Sequence, residues 1–192
     1  MDPINIIAAL NLFATFVANL GGAKKGFKTS ISASREKPKT YLQKLPLFLS
    51  MLTLVALILA VFQVGTLAYS AELKGLRLAG LAVYVVFSWI QIWAYKSLGS
   101  SYSQDVLIMK NHNLIKKGPF KFIRHPQYLS QILLDLGAGL ATLSYIIIPL
   151  AVIEIPFLIM RARLEEKLLA KYFKEDFQDY RKNTGFMLPF IG

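Results

Sequence analysis

These 192 residues contain no cysteine and only two histidines, His112 and His125. The missing thiols exclude a disulfide scaffold, a thiol nucleophile and thiolate metal sites, and two imidazoles are too few for a protein-built zinc centre, so no metal is expected. Acidic residues are scarce as well, 11 against 22 lysines and arginines, which leaves a formal charge of +11. A surplus of that size suits nucleic acid, or the cytoplasmic loops of a membrane protein. Phosphate-cradling glycine loops are lacking: Leu136–Gly139 has neither a preceding strand nor the dinucleotide glycine spacing, so no Rossmann domain is expected. No segment repeats, and none is of low complexity.

What the chain has instead is apolar sequence, 55% of its residues. Intrinsic disorder is thereby excluded, and the length suits one domain. Leu45–Tyr69 runs 25 residues without a charge, enough to cross a bilayer. Leu78–Tyr95 is a second uncharged run, whose Trp89, Trp93 and Tyr95 suit an interfacial aromatic belt. Tyr128–Met160 is too long for one crossing and reads as a helical hairpin that turns at Ala141–Tyr145. Pro3–Leu20 reads as a retained helix and not a signal peptide, because Asp2 replaces the usual basic start and Asn5, Asn11 and Asn19 interrupt the run.

The prediction is an all-α integral membrane protein of about five transmembrane helices, closed by a cytoplasmic interfacial helix. Charge placement agrees with it. Twenty of the 22 basic residues fall in the loops 21–44 and 96–127 and in the tail from Arg161, whereas Lys74 and Arg77 alone lie on the other side. The positive-inside rule then places the amino terminus outside and the carboxyl terminus in the cytoplasm, and topology accounts for most of the charge without nucleic acid. Asp135 and Glu154 sit inside the hairpin, where an ionisable group either faces a polar cavity or bonds to a neighbouring helix. Gly137 and Gly139 permit close helix contact, and Pro149 and Pro156 would bend the second hairpin helix.

Two segments carry chemistry. His112–Tyr128 reads HNLIKKGPFKFIRHPQY, with a turn at Gly118–Pro119 and an extended His125 before Pro126 that fold it back onto the membrane face. Arg124 can grip a carboxylate with two hydrogen bonds, Phe120, Phe122 and Tyr128 offer flat faces, and His125 can donate or accept. Contact with anionic lipid headgroups is the plainer use of such a basic and aromatic stretch. From Arg161, residues Leu164, Leu168, Leu169, Phe173 and Phe177 recur at helical spacing, a pattern that can lie along the interface and stop at Gly185. Arg161 and Glu165 are one turn apart, which by spacing alone is an ordinary surface ion pair worth ~0–1 kcal/mol.

Together the two segments resemble the isoprenylcysteine carboxyl methyltransferase family. The resemblance rests on Gly118, Phe120, Arg124-His125-Pro126 and Tyr128, then Arg161, Glu165-Glu166, Leu168, Phe173, Phe177 and Tyr180. It covers about the last 97 residues, from Lys96-Ser97-Leu98-Gly99-Ser100 to Leu188-Pro189-Phe190, which divides the single structural domain into N-terminal helices (1–95) and a methyltransferase core (96–192). The RHPxY element alone is shared with phospholipid N-methyltransferases. KSLGS, the approach His112-Asn113-Leu114-Ile115 and the ending TGFMLPF favour the carboxyl methyltransferase branch, in a short, prokaryotic-type form.

The resemblance implies S-adenosylmethionine as cofactor, S-adenosylhomocysteine as product, and a lipophilic methyl acceptor. It places His112, Leu114, Ile115, Gly118, Phe120, Arg124, His125, Pro126, Gln127, Tyr128 and Glu165 at the cofactor, and Arg161 at the substrate as the catalytic residue. Phe120 and Phe177 stand where the family often has Tyr, Lys174 where it has Gly, and Ser130 where a Gly often follows. A carboxylate acceptor is already ionised and needs no base. An amine, as in phospholipid or small-molecule N-methylation, would need a proton acceptor such as Glu166 or Asp135, and S-methylation of a thiol is a further alternative. A non-catalytic membrane scaffold that holds acidic lipid is the reading from a different class.

Overall fold

A computed structural model describes residues 2–32, 34–109, 113–189 and 191–192. Among the described residues the α-helices are α1 (Pro3–Ser32), α2 (Leu45–Val61), α3 (Lys74–Leu98), α4 (Pro126–Thr142), α5 (Ile147–Phe173) and α6 (Glu175–Asn183). One small antiparallel ladder, Ser34–Glu36 (β1) with Ile108–Met109 (β2), departs from the all-helical expectation.

α1 starts where Asp2 and Pro3 make a good N-terminus: Asp2 Oδ1 accepts the amides of Ile4 (3.0 Å) and Asn5 (3.3 Å). Two of the asparagines that interrupt its apolar run, Asn5 and Asn11, bind neighbouring helices. Asn5 donates to the carbonyls of Ala60 and Val61 at the end of α2, and Asn11 donates to Ser88 and accepts from Trp89 on α3. Because α1 continues to Ser32, part of the predicted 21–44 loop is helical.

The predicted Leu45–Tyr69 span is shorter as a helix. α2 ends at Val61 and the chain reverses through Gln63 (φ 64°) and Gly65 (φ 74°), so that the Leu67 amide reaches Leu143 O at 3.0 Å. Lack of charge permits a helix but does not extend one past a left-handed turn. The next helix, α3, packs closely on α4 because glycines face each other. A Cβ on Gly80 would stand 2.6 Å from Ala141 N, and one on Gly137 would stand 2.6 Å from Tyr84 N.

The hairpin turn falls at Leu143–Ile146, with Leu143 left-handed (φ 51°) and Ser144 Oγ accepting the Ile146 and Ile147 amides that open α5. Pro149 lies in the first turn of α5, where an unpaired amide costs nothing, and Pro156 lies inside the helix. The amphipathic pattern from Arg161 continues the hairpin helix: α5 runs unbroken from the apolar stretch through Arg161 to Phe173 and stops at Lys174 (φ 45°, ψ −114°). α6 is short and ends before Thr184, so Gly185 is not its left-handed stop.

The core is assembled from Ile4, Ala56, Leu81, Tyr84, Ala138 and Ile147, on five different helices. Outside it the usual order is inverted: Leu10, Phe13, Met51, Phe62 and Trp89 are exposed while Asn5, Thr53, Asp135 and Glu154 are buried. Such a surface suits lipid and not water. Tyr41–Val61 and Lys74–Leu98 are long and apolar enough to cross a membrane. At one end of the bundle Arg77 meets Asp2 in a two-pronged ion pair at 2.6 and 3.0 Å, and its hydrogen bonds hold the Asp2 carboxyl below its ordinary range.

Candidate functional site

At the other end lies a cavity of about 270 Å³ among α2, α3, the 99–125 connection, α4, α5 and α6. The connection is positioned first. Gly118 takes a left-handed turn (φ 61°) against α3, where a Cβ would stand 2.4 Å from Ser97 Oγ. The short 3-10 turn that follows, Gly118–Lys121, sends Phe120 into the cavity wall, and the Tyr180 hydroxyl donates to the Phe120 carbonyl at 2.6 Å. Beyond it the backbone pairs with the C-terminal tail: the Arg124 amide donates to Gly185 O at 2.8 Å and the His125 amide to Phe186 O at 3.1 Å.

The Arg124 guanidinium makes four hydrogen bonds. It bonds to Glu166 (2.5 Å), to the carbonyls of Arg181 (3.1 Å) and Thr184, and to Gly192 (2.9 Å). Burial raises the Glu166 carboxyl, but the nearby His125 ring together with the hydrogen bond and charge of Arg124 outweigh it and hold the group below its ordinary value. Arg124 therefore ties the connection to α5, α6 and the tail.

His125 is 2% exposed, yet among the described residues neither ring nitrogen has a hydrogen-bond partner. Nδ1 lies 3.6 Å from Glu165 and Nε2 lies 3.4 Å from Glu166. The ring stacks on Tyr128 at 5.8 Å and meets the edge of Phe186 at 5.0 Å. Pro126 then starts α4, which carries Tyr128 and Gln131 along the cavity.

α5 supplies Arg161 and Glu165. Spacing alone makes them an ion pair, but they are linked through Tyr128: Arg161 Nε donates to the Tyr128 hydroxyl at 3.0 Å, and that hydroxyl donates to Glu165. The rest of the Arg161 guanidinium donates to the carbonyls of Leu42 (3.2 Å), Gln43 (3.4 Å) and Gln104. Gln43 in turn exchanges two hydrogen bonds with Val106, at 2.8 and 2.9 Å. Arg161 thus binds two separate loops over the cavity. Tyr102, on one of them, has its phenol raised by burial and packs 4.9 Å from Tyr95.

Behind the cavity runs a partly buried polar chain. Gln91 donates to Gln131 (2.7 Å), Gln131 donates to Asp135 (2.7 Å), Asp135 hydrogen-bonds Glu154, and Ser50 donates to Glu154 (2.5 Å). Gln131 and Ser50 line the cavity, so the carboxyl pair stands one residue behind its wall.

Residues 80–171 match the sequence profile of the isoprenylcysteine carboxyl methyltransferase (ICMT) family. Over that stretch, just under half of its length, the chain is similar to that family. The protein-S-isoprenylcysteine O-methyltransferase of Saccharomyces cerevisiae is 28% identical over 131 residues, 65% of this chain and 53% of that protein. The uncharacterised Bacillus subtilis protein YpbQ is 33% identical over 92 residues, 47% of this chain and 55% of its own. This chain therefore spans about half the length of these curated relatives. The solved structure of a eukaryotic intramembrane Ras methyltransferase ICMT superposes with a TM-score of 0.65 at 21% identity, covering 100% of this chain and 69% of that one. Fold and family agree that this is an integral membrane protein.

Of the residues the family resemblance selects, Leu114, Ile115, Phe120, Arg124, His125, Gln127, Tyr128, Arg161 and Glu165 share the one cavity. Gly118 and Pro126 lie behind its wall and shape the backbone; Phe122 is exposed. His112 lies outside the described residues. Tyr95, predicted for the aromatic belt, lines the cavity instead. Ser50, Tyr102, Gln104 and Gln131 also line it and belong to no motif; Gln131, a polar residue within an apolar run, is the one with a visible signal.

The cavity suits the cofactor chemistry. The unpartnered nitrogens of His125 and the unpartnered Gln127 Oε1 offer a donor and acceptors, Glu165 offers a carboxylate, and Phe120, Ile115 and Leu168 give flat and apolar walls. An adenosine with a cationic amino-acid tail asks for that donor set.

Proposed function

We propose that this chain is an ICMT-family, multi-pass, S-adenosylmethionine-dependent methyltransferase that O-methylates the carboxylate of a lipophilic, isoprenylcysteine-like acceptor on the cytoplasmic side of a membrane. The observation that carries the reading is the convergence of His125, Tyr128, Glu165 and Arg161 on one cavity at the charged end of an apolar bundle. The reading includes five crossings, with α4 and α5 as a hairpin, and the basic residues gathered at this end support it.

Bound there, S-adenosylmethionine supplies an electrophilic methyl group on a sulfonium. Glu165 and the free edges of His125 hold it, and Phe120 flanks it. Arg161 orients the acceptor carboxylate. Its present partners at Leu42, Gln43 and Gln104 are neutral carbonyls, which an anionic carboxylate with two oxygens outcompetes. Transfer from sulfonium to carboxylate is an in-line displacement, so the residues align the reactants and exclude water, and no base is needed.

A second reading, methylation of a thiol or an amine, draws on the Asp135–Glu154 pair behind Ser50 and Gln131, which would take the acceptor's proton. One experiment separates the two. Membranes that contain the full chain are incubated with methyl-labelled cofactor and a panel of lipophilic carboxylates, thiols and amines. Base-labile label on a carboxylate acceptor is expected. Base-stable label moves the reaction to sulfur or nitrogen, and absence of cofactor binding and of transfer leaves a scaffold.

A further inference from the structure

A second cavity, about 810 Å³, opens on the opposite side of Arg124 between α5, α6 and the C-terminal tail. Its floor is apolar, with Leu129 from α4, Ile159 and Ala170 from α5, Phe177 from α6, and Phe186 to Leu188 from the tail. Its rim is basic. Arg163 and Lys167, one turn apart on α5, and Arg181 on α6 line it with exposed side chains. The other two charged side chains in the lining, Arg124 and Glu166, are bonded to each other at 2.5 Å, and Gly192 O is already held by Arg124. Among the described residues Arg163, Lys167 and Arg181 have no ion-pair partner, so the groove presents unpaired cations over an apolar trough.

Its depth identifies the occupant. Ile159 belongs to the uncharged stretch Ile155–Met160 of α5 and Arg163 to the charged half that begins at Arg161, so the groove straddles the level at which α5 leaves hydrocarbon. Acyl chains and phosphates meet at that level. We propose that this groove binds an anionic phospholipid, with its phosphate on Arg163, Lys167 and Arg181 and an acyl chain along Ile159, Leu129 and Leu188. Arg124 and Phe177 line both cavities, and the tail that walls the groove pairs with the His125 backbone. A lipid seated here steadies the tail and, through Arg124, the methyl-transfer cavity. The inference rests on α5 entering the membrane and not on the chemistry of methyl transfer.

The test uses the full chain purified in a neutral detergent and follows its melting temperature during titration with phosphatidylglycerol, phosphatidylcholine, or glycerol 3-phosphate as a headgroup alone. A ligand that binds only the folded state raises the melting temperature. Phosphatidylglycerol is expected to raise it saturably, and the other two are not. Arg163→Gln with Lys167→Gln should weaken the apparent affinity about twentyfold, since each cation near a lipid surface is worth about fivefold. Lys39→Gln with Lys121→Gln removes the same charge outside the groove and should change it less than twofold. If the charge-reversed R163E/K167E or the milder glutamine pair does not fold, Leu188→Glu, which blocks the trough alone, should remove the shift. Equal weakening by both glutamine pairs would mean diffuse charge attraction, and an equal response to glycerol 3-phosphate would mean a phosphate site; either overturns the proposal, as does the absence of a phosphatidylglycerol shift.

Discussion

The Tyr128 hydroxyl stands between Arg161 and Glu165, accepting from the first at 3.0 Å and donating to the second. A residue on α4 thereby fixes the mutual geometry of two residues on α5 that the reading assigns to different ligands. Tyr128→Phe keeps the stacking on His125 and removes only the link. The expected result is a fall in methyl transfer of roughly ten- to a hundredfold, the equivalent of hydrogen bonds to charged groups at about 1.5–3 kcal/mol. Cofactor affinity by calorimetry should fall less than turnover; unchanged turnover would show that the link is idle.

Arg161→Lys should uncouple the loops. One ammonium cannot reach Tyr128 and three carbonyls on two loops together. Hydrogen exchange at the Val106 amide, which Gln43 Oε1 accepts at 2.9 Å, should accelerate along with loss of transfer. Loss of transfer without faster exchange would confine Arg161 to the substrate.

Acid should loosen the tail. The folded value of Glu166 lies below its unfolded one, so the stabilisation is complete above about pH 5 and is lost as pH falls through the folded value. Proteolytic release of the C-terminal residues should rise in that range, and Glu166→Gln should release them already at neutral pH and flatten the profile. Arg124→Ala should cost roughly 3–5 kcal/mol, because it leaves Glu166 and three carbonyls without their donor.

Lys174→Gly should stabilise the chain. α3 ends on Gly99 at φ 54°, ψ −120°, and α5 ends on Lys174 in nearly the same conformation at φ 45°, ψ −114°. A side chain is strained there by about 1–3 kcal/mol, of which the greater flexibility of unfolded glycine takes back part. A melting temperature raised by about 2–4 °C is expected; a lowered one would mean that the lysine side chain outweighs the strain.

Gly137→Ala should prevent α3 and α4 from closing. The added methyl would meet Tyr84 N at 2.6 Å and Gly80 O at 2.8 Å, backbone atoms that cannot move aside. Most of the protein should aggregate in detergent by size-exclusion chromatography, whereas Gly75→Ala, with nothing within 4 Å, should behave as the unaltered chain.

Periodicity and charge in the linear chain were enough for the helices within 78–95 and 128–160, for a hairpin turn near Ala141–Tyr145, and for the basic end of the bundle, because burial in lipid and the cost of moving charge across it act on each segment separately. The motifs likewise named His125, Tyr128, Arg161 and Glu165. Contacts between distant segments left no such local trace. Packing alone assigned Arg124 to the tail, put Tyr128 between Arg161 and Glu165, and turned Tyr95 and Gln131 toward the cavity, since a guanidinium or a hydroxyl takes whichever acceptor the folded backbone brings within about 3 Å. The same holds for α2, whose uncharged sequence runs on to Tyr69 but whose helix stops at Val61, because Leu67 is needed at Leu143 to close the hairpin turn.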